Sequence, residues 1–371
     1  MGNGGHANAS GTTNSGTTTD IDFLRALCGA PAPTGFEAPA QEVLRRRLDG
    51  TAPAQSDPLG NLWADVPAEG TPHVVVTGHN DQIGLIVTYV DDHGFVFFDK
   101  IGGVDAQLLP GRHLIIHSAA GPVDAVVGRK PTHIIPKDEQ GKAPALHEQF
   151  MDVGASTREE ALAMVGIGDS VTFETPFLTL AGGRYGSPAF DNRAGVYVAF
   201  RALEHYGAAP AKAKLTALAT VHEETTFMGA RAMAHRLDAD VIIVVDVDFA
   251  SEDPAVDPKK LGGEVKLGAG PVIHRGAGSN LALVDYALDV AKAEGLPVQI
   301  KALPGRTSTD AEELMSSGRA ATLSFSIPVR YMHSPLEVMQ PDDAEVGALL
   351  AAALTRRLAR DWTPELFVPR A

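Results

Sequence analysis

The chain has 371 residues, of which 44% are apolar, and carries a formal net charge of −15. That length suits two domains, or one large domain with an insertion. The acidic balance excludes a surface built for nucleic acid or anionic membrane, and no stretch approaches the roughly 20 apolar residues needed to span a bilayer.

The first residues are rich in Gly, Ser, Thr and Asn and contain no apolar run like that of a signal peptide, so residues 1–19 are expected to form a disordered tail. Met1-Gly2 opens like a myristoylation signal, but His6 stands where Ser or Thr is wanted. Asp20 is a suitable N-cap for a helix beginning Ile21-Asp22-Phe23-Leu24. The single cysteine, Cys28, lies in that apolar segment. It excludes an intramolecular disulfide, fits a reducing, cytoplasmic compartment, and reads as a small buried hydrophobe. After the loop Pro31–Gly35, a second helix is expected from Glu37 to Leu48, then a strand His73–Thr77 that ends at Gly78-His79.

From Asp81 to Val171 the texture changes to short β-rich segments separated by Gly, Pro and Asp, with one weak helical run at Thr157–Met164. Beyond Gly182 strands and helices alternate. Helices are expected at Asn192–His205, Met228–Leu237, Asn280–Glu294, Asp310–Ser317 and Ala344–Leu358, and strands at Leu215–Val221, Val241–Val247, Val298–Leu303 and Thr322–Ile327. This pattern predicts an α/β fold, a sheet with helices on both faces, interrupted after His79 by a small inserted β domain.

In open α/β sheets, sites form beyond the carboxyl ends of the strands. His79, the pair Glu223-Glu224 and Asp246 each follow an apolar strand run, His333 follows Thr322–Ile327 by a short link, and Asp191 precedes a helix. Each has an ordinary reading: Asp191 as an N-cap, Glu-Glu as a solvated surface pair, a lone histidine as a hydrogen-bonded side chain. Their coincidence at one sheet edge favours a metal centre. Two imidazoles with carboxylates and no thiolate suit two divalent ions, Zn²⁺ or Co²⁺, with Mn²⁺ also accommodated. Asp81, two residues beyond His79, is placed to fix the tautomer of that imidazole.

The motifs Gly78-His79-Asn80-Asp81-Gln82-Ile83-Gly84, Ile101-Gly102-Gly103-Val104-Asp105, Phe190-Asp191-Asn192-Arg193, Glu223-Glu224, Val245-Asp246-Val247 and Arg330-Tyr331-Met332-His333-Ser334-Pro335 resemble those of the TET (tetrahedral) aminopeptidases. These metallopeptidases include glutamyl aminopeptidases and proteins labelled endoglucanase. The resemblance implies a di-zinc aminopeptidase-like fold with a mixed sheet, split between residues 20–81 and 174–371, and a PDZ-like dimerisation insertion at 82–173. It implies that His79, Asp191 and Asp246 hold one metal, and Asp191, Glu224 and His333 the other, with Glu223 as general base. It further implies a cis peptide at Asp191-Asn192, short peptides as substrates, and dimers assembled into a tetrahedral dodecamer. Gln82 stands where the family usually has Glu, and Asn80 where it has Met.

The expected reaction is hydrolysis of an N-terminal peptide bond by activated water, with Glu223 accepting and returning the proton. A di-metal deacylase of N-acyl amino acids uses the same chemistry and remains open at this point. A glycosidase is disfavoured because adjacent Glu223 and Glu224 cannot flank a sugar bond. A metal-stabilised assembly protein without catalysis would have no use for a free base beside a ligand.

Overall fold

A computed structural model describes residues 18–68, 70–137, 141–142 and 144–368. Of the expected tail, residues 1–17 lie outside the described residues. Thr19 lies inside them: it is buried, and its hydroxyl donates to Asp342 Oδ1 at 2.5 Å, so described chain begins before Asp20. Asp20 caps the first helix by accepting from the Phe23 amide.

The elements run α1 (Ile21–Gly29), α2 (Ala38–Leu48), β1 (Gln55–Ser56), β2 (Leu62–Val66) and β3 (His73–His79). Then follow β4 (Gly84–Val90), β5 (Val96–Ile101), β6 (His113–Ser118), β7 (Gly121–Val127), β8 (Met151–Asp152), α3 (Arg158–Met164) and β9 (Ser170–Phe173). After β10 (Leu178–Thr179) and β11 (Tyr185–Ser187) come α4 (Phe190–Ala208), β12 (Lys214–Thr220), α5 (Met228–Ala234), β13 (Val241–Phe249) and β14 (Val272–Gly276). The chain ends with α6 (Leu281–Glu294), β15 (Gln299–Leu303), α7 (Asp310–Met315), β16 (Ala321–Arg330), β17 (Glu337–Met339) and α8 (Pro341–Asp361).

Among the described residues, eleven strands form one mixed sheet in the order β1-β2-β12-β3-β13-β16-β17-β11-β10, with β14 paired to β16 and β15 to β14. Its centre, β12-β3-β13-β16, is parallel, and the flanking strands β2, β17, β11 and β10 run antiparallel to their neighbours. Parallel strands are buried on both faces, which explains near-continuous apolar runs such as Val241–Val245. Alternate residues then serve opposite cores. Val74 and Val76 of β3 pack with α4, α6 and α8, whereas Val75 packs with Met233 of α5 and Leu314 of α7. Helices therefore cover both faces.

Strands β4 to β9 close a separate six-stranded barrel, β4-β5-β8-β7-β6-β9, around its own core of Leu85, Val87, Phe98, Leu114, Ile116 and Val171. The expected inserted β domain is thus present as a small β barrel, with the helix α3 beside it among the described residues. Strand β13 runs three residues past Asp246, because its ladder with β16 continues to the Phe249–Val329 pair. Asp246 thus projects from within a strand, not from its end. It still reaches the sheet edge, since β3 stops at His79 while β13 runs on.

Candidate functional site

Two close backbone approaches bring the predicted residues together. A Cβ on Gly78 would lie 2.5 Å from the Gly195 carbonyl carbon, and one on Gly195 2.5 Å from the Val245 carbonyl oxygen. With glycine at both positions, the end of β3 and the start of α4 touch. His79 thereby meets Asp191: its Nε2 lies 3.2 Å from Asp191 Oδ1, 3.6 Å from Glu223 Oε2 and 3.8 Å from Asp246 Oδ1. On the other side, Asp191 Oδ2 is 3.2 Å from His333 Nε2, which is 3.5 Å from Glu224 Oε2. Asp191 does not cap α4 with its side chain; its carboxylate stands between two histidines.

Two donor sets result. Ligand atoms of His79, Asp191 and Asp246 lie within 4.8 Å of one another, as do those of Asp191, Glu224 and His333, so Asp191 belongs to both. The buried Glu224 Oε1 has no hydrogen-bond partner. An unpartnered buried carboxylate oxygen in a set of two imidazoles and several carboxylates fits a pair of divalent cations. The peptide Asp191-Asn192 is cis.

Asp81 organises the Glu-Glu pair. Its Oδ1 accepts from the Glu223 amide at 3.0 Å, and its Oδ2 accepts from the Glu224 amide at 3.1 Å and from the Thr34 hydroxyl at 2.6 Å. Its Oδ1 also lies 3.4 Å from His79 Nδ1, and its carbonyl oxygen 3.2 Å away. Burial raises the Asp81 pKa, but hydrogen bonding and attraction to His79 outweigh it and hold the group below its ordinary value.

The electrostatics show how many negative charges share this space. Burial pushes Glu223 up to about 10, and Asp246, Asp310 and Asp191 add to that. Burial, with Asp191 next, raises Glu224 to about 8. Asp246 rises to about 7 mainly through burial, with Asp191 adding. His79 is driven the other way: burial alone would lower it, yet Glu223, Asp191, Asp81 and Asp246 raise it well above its usual value. The hydrogen bond to Asp191 raises His333 to about 9. Such a cluster calls for added positive charge.

Backbone strain gathers at the same place. Among the described residues, the non-glycine residues with positive φ are Ala189, His222, Phe227, Ser308, Tyr331 and His333. His222 precedes the Glu-Glu pair, Ala189 and Tyr331 stand two residues before Asp191 and His333, and Phe227 and Ser308 line the adjoining cavity. Conformations of that kind persist where the surroundings impose them, and they concentrate at working sites. The cavity has a volume of about 820 Å³ and opens onto His79, Asp191, Glu223, Glu224, Asp246 and His333.

The barrel reaches this site through Gly102-Gly103. A Cβ on Gly103 would lie 2.4 Å from His333 Nδ1, so only glycine admits that close approach. The departures at positions 80 and 82 also find a use. Asn80 Oδ1 accepts from Arg193 Nη1 at 2.7 Å, and Gln82 Oε1 accepts from Arg193 Nη2 at 3.0 Å and from the Ala32 amide at 3.3 Å. Both are neutral partners for a guanidinium that is wholly buried and pushed down to about 10 by that burial. Cys28 is a core residue whose thiol burial raises to about 12, in keeping with its reading as a small hydrophobe.

Sequence reasoning left three contributors without a role. Thr34 holds Asp81. Asp310, buried and raised to about 7 by that burial, accepts from the Thr220 hydroxyl. Glu337 accepts from the amides of Asp191 and His333 at 2.9 and 3.0 Å. A carboxylate inside the apolar segment Leu336-Glu337-Val338-Met339 was the available signal for the last.

The chain is similar to known aminopeptidases in sequence and in fold. The sequence profile of the M42 glutamyl aminopeptidase family matches residues 60–350. The chain is 33% identical to the lysyl aminopeptidase of Pyrococcus furiosus, over 93% of this chain and 99% of that protein. In structure it is similar to a TET aminopeptidase from a marine-sediment Thaumarchaeota archaeon, with a TM-score of 0.85 and 29% identity, covering 91% of this chain and 96% of that one. It is also similar to the Pyrococcus horikoshii TET1 peptidase, described as assembling into a tetrahedron or a large octahedral shell, with a TM-score of 0.81, 29% identity, and 90% and 98% coverage.

Proposed function

Because the chain belongs to the M42 glutamyl aminopeptidase family, we propose that it removes N-terminal residues from short peptides at a site built for two divalent metal ions. The observation that carries this reading is the pair of donor sets sharing Asp191 at one edge of the sheet, beside a cavity of about 820 Å³. His79, Asp191 and Asp246 would hold one ion, and Asp191, Glu224 and His333 the other; Zn²⁺ or Co²⁺ suits these donors best, and Mn²⁺ would be accommodated. When bound, two such ions would supply Lewis acidity toward water and the scissile carbonyl.

The chain's own residues do the rest. Glu223 lies 3.6 Å from His79 but belongs to neither donor set, so its carboxylate is free to take a proton from attacking water and pass it to the leaving amine. Asp81 positions it, through the Glu223 amide, and steadies the His79 ring. Residues 20–81 and 174–371 form the catalytic unit in this reading, and 82–173, containing the barrel, the assembly module. The assembly of the similar Pyrococcus horikoshii TET1 peptidase into a dodecamer or a larger shell supports a homo-oligomer, and we assign dimers joined into a tetrahedral dodecamer. No helix among the described residues is long and apolar enough to cross a membrane. The lone cysteine, buried and unpaired, suits a cytoplasmic enzyme.

A panel of aminoacyl-chromogenic substrates, with Zn²⁺, Co²⁺ or Mn²⁺ returned to stripped protein, tests the reading. Activity is expected only on substrates with a free α-amine. Turnover of N-acylated substrates alone would replace the aminopeptidase with a deacylase.

A further inference from the structure

We propose that Glu337 is a positioning residue of the second metal site, a buried carboxyl group that sets the spacing of Asp191 and His333 from behind. This rests on the di-metal reading above and goes beyond it, since Glu337 belongs to neither donor set. Strand β17 lies between β16 and β11, with Glu337 opposite Ser187 and Val338 opposite Arg330. Those two neighbours are the strands whose exits carry the ligands: β11 leads from Ser187 to Asp191, and β16 from Arg330 to His333. One side chain at this junction can govern both exits, and Glu337 does. Its Oε2 accepts from the Asp191 amide at 2.9 Å and its Oε1 from the His333 amide at 3.0 Å.

The ligand atoms so joined, Asp191 Oδ2 and His333 Nε2, are 3.2 Å apart. His333 has a φ of +60°, a left-handed conformation that needs external support, and the hydrogen bond to its amide provides it. Glu337 is 2% exposed, and what opposes the cost of that burial is the pair of backbone amides together with attraction to His333. Burying a carboxylate is costly, and a neutral amide side chain could accept from only one of these two backbone N–H groups. The positive charge that rewards a carboxylate here is the metal centre held by the ligands it braces. Asp81 repeats the arrangement on the other side, clamping the amides of Glu223 and Glu224. Each clamp spans two residues of the site with one carboxylate.

The test is Glu337→Gln, which keeps the volume but sets an NH₂ donor against one of the two backbone N–H groups. Metal-free wild type and variant are titrated with Zn²⁺ by calorimetry, and kcat and KM are measured at saturating metal. The variant is expected to lose about 10–100-fold in the weaker of its two metal affinities. At saturating metal, kcat should fall while KM moves by less than about threefold. Glu337→Asp, which keeps the charge and shortens the reach, should fall between the two, and it carries the test should the Gln variant not fold. Wild type taking up two ions while both variants match it in both affinities and in kcat overturns the role of Glu337 alone. Failure of wild type to take up two ions overturns the di-metal reading, and this role with it.

Discussion

Replacing Asp81 with Asn tests the organisation of the site through hydrogen bonds that can be counted. The Asp81 carboxylate accepts from the Glu223 amide, the Glu224 amide and the Thr34 hydroxyl, all within 3.1 Å. Asparagine keeps one oxygen and adds an NH₂ donor. Its least costly placement leaves the oxygen toward Glu223 and turns the NH₂ toward Thr34, whose hydroxyl can rotate to accept. The Glu224 amide then faces a donor. An orphaned buried N–H costs about 1–3 kcal/mol, which is the expected loss of folding stability for the metal-free protein in a urea titration. The Glu224 segment should also shift away from His333, so kcat/KM should fall by about 10–100-fold. A variant with the wild-type urea midpoint and wild-type kcat/KM would refute this role for Asp81.

Two further perturbations probe the surroundings. Gly103→Ala drives a methyl group into the His333 ring, and should lower Zn²⁺ affinity by about tenfold, read by calorimetry, with the barrel remaining folded by circular dichroism. Glu345 of α8 is buried against α4, where its carboxylate accepts from the Tyr197 hydroxyl at 2.6 Å and from Arg201 at 2.8 Å and meets His205 at 2.7 Å. Burial raises its pKa, but His205, Arg201 and Tyr197 outweigh that and hold it near 2, below the ordinary 4.5. A depressed carboxylate contributes stability above its unfolded pKa and loses it as pH falls through the folded one, so about 3 kcal/mol should disappear between pH 4.5 and 2. Glu345→Gln should lack that component of the acid transition in pH-dependent urea unfolding; a transition of unchanged steepness would count against it.

Much of the site could be read from the sequence because its carriers are short-range patterns. An apolar run that ends in His79, or in Glu223-Glu224, marks the edge of a buried strand whatever the rest of the chain does. The Gly102-Gly103 pair was recognisable as a motif, but its reason, the approach of the barrel to His333, depends on residues 230 positions away. Glu337 was harder still. It is a single charge among apolar residues in a stretch with no predicted element, and becomes informative only when β17 is found between β16 and β11. Asp246 marked the end of an apolar run without ending its strand: the expected strand stopped at Val247, and the pairing with β16 carries β13 on to Phe249. Gln82 and Asn80 appeared as departures from a pattern; the buried Arg193 that they hold is a tertiary fact.

The central claim is the division of labour between two adjacent carboxylates, Glu224 on metal and Glu223 on the proton. Glu223→Gln tests it in one preparation, by metal content from mass spectrometry and kcat on a chromogenic aminoacyl substrate. Two ions per chain retained, with kcat lowered by about 10²–10⁴-fold, is the predicted result. Substantially preserved turnover, or loss of a metal ion from this variant, would contradict it.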